Sequence, residues 1–172
     1  MKATGIVRRI DDLGRVVIPK EIRRTLRIRG GDALEIFTDR DGEVILKKYS
    51  PIAELADFAQ EYVDSLAEST GQVALVADRD EIIAVSGAPK KGLLGKKVSS
   101  GVQVALERGE TVTFDDPPAI ESFPSGGQVA APVMQEGELA GSVLILARDG
   151  KLSDLEKRLA ETAANFLAKH LG

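Results

Sequence analysis

The first fifty residues alternate brief apolar runs with turn-forming residues. Gly5-Ile6-Val7-Arg8-Arg9-Ile10 predicts a short strand, Asp11-Asp12-Leu13-Gly14 a turn, and Arg15-Val16-Val17-Ile18 a second strand. In such a turn Asp makes local side-chain hydrogen bonds and Gly accepts positive φ. Pro19 ends the second strand because it has no amide to give a ladder. It also suits the first turn of a helix, predicted over Lys20–Leu26 with Ile22 and Leu26 on one face. Gly30-Gly31-Asp32 breaks that helix. Ala33–Thr38 and Glu43–Lys48 predict two more strands, joined through the hairpin signal Asp41-Gly42. So small a segment is marginal as a lone core. The apolar residues on both faces of its strands (Val16, Val17, Ile18; Val44, Ile45, Leu46) exceed what one copy can cover. Burial alone therefore predicts that two copies interleave around a shared core.

The pattern changes at Ser50-Pro51, where Ser50 suits an N-cap and Pro51 a first helical position. Ile52, Leu55, Ala59, Tyr62, Val63 and Leu66 then form a stripe at three-to-four spacing, predicting a helix to about Ser69. Val73–Asp78 and Glu81–Ser86 read as strands, Gly87–Lys97 as a loop, and Ser100-Gly101-Val102-Gln103 as a capping box opening a short helix through Arg108. Glu110–Phe114 reads as a strand, followed by a breaker-rich stretch over 115–127. Gln128–Gln135 and Leu139–Arg148 read as a hairpin. A second capping box, Ser153-Asp154-Leu155-Glu156, opens a last helix with Leu155, Leu159, Ala163, Phe166 and His170 on one face. The fold class expected is α+β, with an N-terminal domain over 1–50 and a C-terminal domain over 51–172 built as an antiparallel sheet with flanking helices.

Charge sharpens that division. Residues 1–50 hold 12 basic and 8 acidic side chains (+4), and residues 51–172 hold 11 basic and 19 acidic (−8), which sum to the net −4. Seven arginines (Arg8, Arg9, Arg15, Arg23, Arg24, Arg27, Arg29) lie within the first 29 residues. Guanidinium forks match phosphate oxygens two at a time. A nucleic-acid partner would thus meet only the first domain. The bland reading, solvated charge on a small module, needs fewer arginines than these. The chain has no Cys, which removes disulfides, thiolate zinc sites and thiol nucleophiles together and fits a reducing cytoplasm. No apolar run approaches the ~20 residues of a membrane helix. The start of the chain lacks a signal-peptide pattern, so neither export nor a membrane partner is expected.

From Thr4-Gly5-Ile6-Val7-Arg8-Arg9-Ile10-Asp11-Asp12-Leu13-Gly14-Arg15-Val16-Val17-Ile18-Pro19, and on through Glu21-Ile22-Arg23-Arg24-Thr25-Leu26, Gly31-Asp32-Ala33-Leu34-Glu35 and Ile45-Leu46-Lys47-Lys48-Tyr49, the chain resembles the AbrB-type family of swapped-hairpin transcription regulators. The long C-terminal part resembles the GAF type, which points to a sporulation-regulator branch of that family. The resemblance implies an N-terminal domain-swapped β-barrel dimer that binds double-stranded promoter DNA through Arg8, Arg15, Arg23 and Arg24. Arg9 is an expected extra contact and Lys2 an outer phosphate contact. No role carries over to Arg27 or Arg29. The resemblance further implies a homotetramer held by helices at either end of the second domain. It also implies a cytoplasmic, nucleoid-associated activator and repressor of sporulation genes rather than an enzyme.

The other candidates are weaker. Asp11, Asp12 and Asp32 read as turn formers and caps before metal ligands, and Asp115-Asp116 as a solvated turn before an acid/base pair. His170 is the one histidine, and no Ser/His/Asp or Cys/His arrangement accompanies it. Gly87–Gly92 has the gap of a phosphate loop, but Leu93 replaces the lysine. Lys90, Lys91, Lys96 and Lys97 remain as solvated charges. No cofactor is identified. A small-molecule ligand of unknown identity is expected in a pocket between the C-terminal sheet and its breaker-rich loops. Two alternatives stand beside the regulator: a small-molecule-binding or hydrolytic protein with a basic docking module, and an antitoxin-like DNA-binding protein.

Overall fold

A computed structural model describes residues 2–121, 123 and 126–172. The chain divides into two compact units, Met1–Tyr49 and Ser50–Gly172.

The first unit holds helix α1 (Lys20–Thr25) and a two-stranded antiparallel sheet, β1 (Leu34–Thr38) with β2 (Val44–Lys48). Leu34 faces Lys48 and Thr38 faces Val44. The hairpin closes through Asp39, whose carboxylate accepts the amides of Asp41 and Glu43. The turn at Asp11–Gly14 also forms, with Asp11 N donating to Arg15 O at 3.0 Å. The strands predicted on either side of it, 5–10 and 15–18, do not form: among the described residues neither segment joins a ladder. A strand exists only with a partner edge, and a lone two-stranded ribbon is marginal in water. Among the described residues of this unit Pro19 alone is buried. Val7 is 83% exposed, Leu13 75% and Val17 70%.

The second unit is a five-stranded antiparallel sheet between two layers. Its strands are β3 (Val73–Asp78), β4 (Ile82–Ser86), β5 (Val112–Phe114), β6 (Gln128–Gln135) and β7 (Glu138–Leu146), in the order β4-β3-β7-β6-β5. The central strands are apolar on both faces, as a sheet covered on both sides requires. Ala74, Val76, Val129, Ala131, Val143 and Ile145 lie under α2 (Ala56–Thr70) and α4 (Asp154–His170). Val73, Leu75, Ala130, Leu144 and Leu146 point the other way, toward α3 (Ser100–Leu106) and the loops that carry Val98, Ala119 and Ile120. The element order is the one that the apolar spacing predicts.

Three local expectations are corrected. The predicted helix beginning at Pro51 opens as a 3-10 turn, Pro51–Leu55, before α2, and the Ser50 hydroxyl caps nothing. The pattern Ser100–Gln103 is not a capping box. Ser99 is the N-cap without a side-chain bond, and the Gln103 amide reaches instead to the Arg79 carbonyl. At α4 the box is real: Ser153 Oγ accepts the Leu155 amide and Glu156 accepts the Ser153 amide at 2.7 Å. The buried face of α4 is Ala160, Ala163, Ala164 and Leu167. Leu155 and Phe166, predicted for that face, stay 60% and 38% exposed.

Ile52 fixes the start of the unit to its sheet. It is fully buried, and its side chain fills the space that a side chain on Gly141 would need. A Cβ there would press on the Ala77 carbonyl oxygen and lie 2.8 Å from Ile52 Cδ1. Gly141→Ala is expected to destabilise this unit by about 1–3 kcal/mol through overpacking. Thermal unfolding checks it, and an unchanged melting temperature would mean that the β3–β7 backbone yields freely.

Candidate nucleic-acid interface

The basic segment is organised by hydrogen bonds that the chain makes to itself. Asp11 Oδ1 accepts the amides of Leu13 at 3.0 Å and Arg15 at 2.8 Å, and Oδ2 accepts Arg15 Nε at 2.8 Å. Arg23, on α1, donates from its Nε to the carbonyl of Ile18 at 3.1 Å, while its own amide bonds Pro19 O. Arg15 and Arg23 are therefore both tied to the segment 11–19, each by Nε. Arg8 Nη1 bonds the neighbouring Val7 carbonyl at 3.1 Å.

All six candidate contacts, Lys2, Arg8, Arg9, Arg15, Arg23 and Arg24, are exposed. Lys2, Arg9 and Arg24 have no side-chain partner among the described residues. The chain thus ties Arg15 and Arg23 to the segment 11–19, ties Arg8 only to its neighbour's carbonyl, and leaves Lys2, Arg9 and Arg24 to solvent. Arg27 is different. It adopts φ +52°, one of its terminal nitrogens is buried, and its carbonyl receives Lys48 Nζ at 3.0 Å. Lys48 also lies 3.9 Å from Asp32, which accepts the Arg29 amide at 2.8 Å. These bonds brace the end of α1 against β2.

Sequence reasoning placed Asp11 as a turn former but missed its second role as the anchor of Arg15. The signal was its four-residue spacing to an arginine across a Gly turn. The Arg15 amide, then the Arg15 guanidinium and the Leu13 amide, hold the Asp11 carboxyl below its ordinary value. The Glu43 amide, first among several donors, does the same for Asp39.

The second unit has a cleft of about 280 Å³ where β3, β4 and β7 end, lined by Val73, Gly87, Ala88, Pro89, Phe123, Gly126, Ala147, Arg148 and Gly150. Arg148 donates from Nη2 to the Gly87 carbonyl at 2.6 Å. Lys90, Lys91, Lys96 and Lys97 are exposed on the adjoining loop, which is pinned to β4 by Gly95 N to Ile82 O and Ile82 N to Lys96 O, both 2.9 Å. Among the described residues no cluster of His, Asp and Glu could hold a metal ion, and no helix is long and apolar enough to cross a membrane.

Comparison with known proteins gives each unit a likeness. A family model described as "Stage V sporulation protein T C-terminal, transcription factor" matches residues 54–172. A second, described as "Antidote-toxin recognition MazE, bacterial antitoxin", matches 7–54. Stage V sporulation protein T of Bacillus subtilis is 51% identical over 176 residues, covering 99% of each chain. The transition state regulatory protein AbrB of Bacillus subtilis is 48% identical over 83 residues, 48% of this chain and 85% of that protein. The GAF domain of an Acinetobacter phosphoenolpyruvate-protein phosphotransferase superposes with a TM-score of 0.58 at 14% identity, over 68% of this chain and 81% of that one. The last likeness shows that the second unit has the GAF fold.

The Asp11 bonds carry a pH dependence. Because the folded carboxyl titrates below the ordinary 3.8, its stabilisation of the turn is complete above that value and is lost as pH falls through the lowered one. A carboxyl-carbon NMR titration is expected to place the Asp11 midpoint below 3.8, and Arg15→Ala to raise it part of the way back, since the residue-15 amide remains. A midpoint at or above 3.8 in the unmodified chain would contradict these hydrogen bonds.

Proposed function

This chain belongs to the stage V sporulation protein T family, and from that premise we propose that it is a transcription regulator of sporulation genes whose first unit binds double-stranded DNA. The observation that carries this reading is the exposed arginine set of the first unit, two members of it pre-ordered, in a chain that is otherwise acidic. The contacts are Arg8, Arg15, Arg23 and Arg24, with Arg9 beside them and Lys2 at the edge. Contacts of this kind go to phosphate and read groove shape more than base edges, which gives degenerate recognition. Activation and repression both follow from where such a protein sits on a promoter. Its place is the cytoplasm, at the nucleoid, where that DNA is.

The exposed Val7, Ile10, Leu13, Val16 and Val17 support a domain-swapped dimer, in which segments 5–10 and 15–18 find their missing ladder partners on a second copy. The dimer would double the arginine set. A tetramer through the second unit is supported by the outer faces of α2 and α4. There the rings of Phe58, Tyr62, Phe166 and His170 cluster at centroid separations of 4.5 to 5.6 Å, and Leu155 and Phe166 are uncovered. The cleft beside Arg148 is the place for a small-molecule ligand that tunes the regulator. An enzymatic role is disfavoured by a chain with no cysteine and one histidine, that histidine tilted against the rings of Phe58 and Phe166. The antitoxin reading matches only residues 7–54, and Ser50–Gly172 form a compact folded unit rather than a flexible toxin-covering segment.

Fluorescence anisotropy on a labelled duplex tests the reading. A dimer releasing ~6–8 counterions gives a log–log salt slope near −5 to −7. Arg15→Ala and Arg23→Ala are each expected to weaken binding at least about tenfold, with a slope shallower by roughly two because each change occurs twice per dimer. Sedimentation should show the oligomer unchanged. Undiminished binding by both variants would remove these residues from the interface. Phe166→Ala is expected to lower the oligomer by half without unfolding it. An unaltered sedimentation coefficient would place the tetramer contact elsewhere.

A further inference from the structure

Charge counting makes Asp11 a liability. A carboxylate beside an arginine weakens the positive field that a phosphate would feel. The geometry argues the opposite. One carboxylate gathers three donors: the amides of Leu13 and Arg15 on Oδ1, and Arg15 Nε on Oδ2. The side chains of Arg15 and Asp11 remain 71% and 43% exposed. A guanidinium has five N–H donors in a fixed fork. Engaging Nε fixes the long side chain but uses only its inner corner. The terminal nitrogens of Arg15 have no partner among the described residues, and they form the edge that matches two phosphate oxygens. Arg23 is held in the same manner by the Ile18 carbonyl. There the anchor is a neutral carbonyl, whereas at Arg15 it is a carboxylate, a negative charge placed within the basic segment.

We propose that Asp11 is a positioning residue for DNA binding: it holds Arg15 by Nε with the terminal guanidinium edge free for a duplex phosphate, so that a negative charge within the basic unit strengthens the grip on a polyanion. The proposal rests on the DNA-binding reading above. Arg15 released from Asp11 would have to be ordered at the moment of contact, and that ordering weakens binding.

Charge and positioning predict opposite signs, which makes the test direct. Asp11→Asn keeps an oxygen to accept the two amides and replaces the acceptor of Arg15 Nε with an amide nitrogen that cannot accept. It also removes one negative charge per chain. Anisotropy titration of the full chain on one duplex, across a salt series, is expected to show Asp11→Asn binding about 3–10-fold more weakly, the size of losing pre-ordered side chains. Its thermal unfolding should be little changed. In an Arg15→Ala background Asp11→Asn is expected to weaken binding no further. Equal or tighter binding by Asp11→Asn overturns the proposal. So does an undiminished loss in the Arg15→Ala background, which would assign Asp11 to the turn alone. Arg15→Ala that binds as well as the unmodified chain would remove the parent assignment too, and so differs from a null result for Asp11→Asn by itself. If Asp11→Asn fails to fold, Asp11→Ser, whose hydroxyl still accepts the turn amides, makes the same comparison.

Discussion

Apolar side chains of the first unit stand uncovered among the described residues. Val7, Ile10, Leu13 and Val17 are each at least 70% exposed, and the backbone of their segments lacks a ladder. Exposed apolar area costs roughly 25 cal/mol per Å², and unpaired strand edges invite a matching edge. Both demands are met together if a second copy supplies strands and cover. The basic surface would inherit the proposed arrangement, because pairing would double every arginine and set the two copies in a fixed relation. In the proposed dimer, affinity for a polyanion would be tied to burial of hydrocarbon.

The second unit has no such deficit. Its sheet is covered on both faces, and its largest buried side chains (Ile52, Leu75, Leu144, Ile145, Leu167) fill two apolar layers. What it leaves open lies outside those layers. One such place is the aromatic outer face of α2 and α4, and another is the cleft at the ends of β3, β4 and β7. Its acidic excess, 19 acidic against 11 basic side chains over 51–172, repels a polyanion. The two units differ in net charge, +4 over 1–50 and −8 over 51–172.

Some of this was legible in the sequence because it depends on neighbours in the chain. The Ser153–Glu156 box, the Asp41-Gly42 hairpin and the order of strands and helices in the second unit follow from spacing over a few residues. The box expected at Ser100–Gln103 shows the limit. The same residue types stand at the same spacing, yet a distant carbonyl, Arg79 O, takes the Gln103 amide. The last helix shows it again. Its sequence carries two apolar stripes, and only packing decides that alanines rather than Leu155 and Phe166 meet the sheet.

The arginine segment shows both sides of the matter. By itself the sequence determined where positive charge concentrates, where turns fall, and that fifty residues carry more apolar surface than one copy can bury, since composition and short-range spacing set all three. Only the folded chain decided which arginines are held and which are loose. Whether Nε finds Asp11 or the Ile18 carbonyl depends on how a turn and a helix end come to lie in space, and a one-dimensional pattern of residue types does not carry that distance.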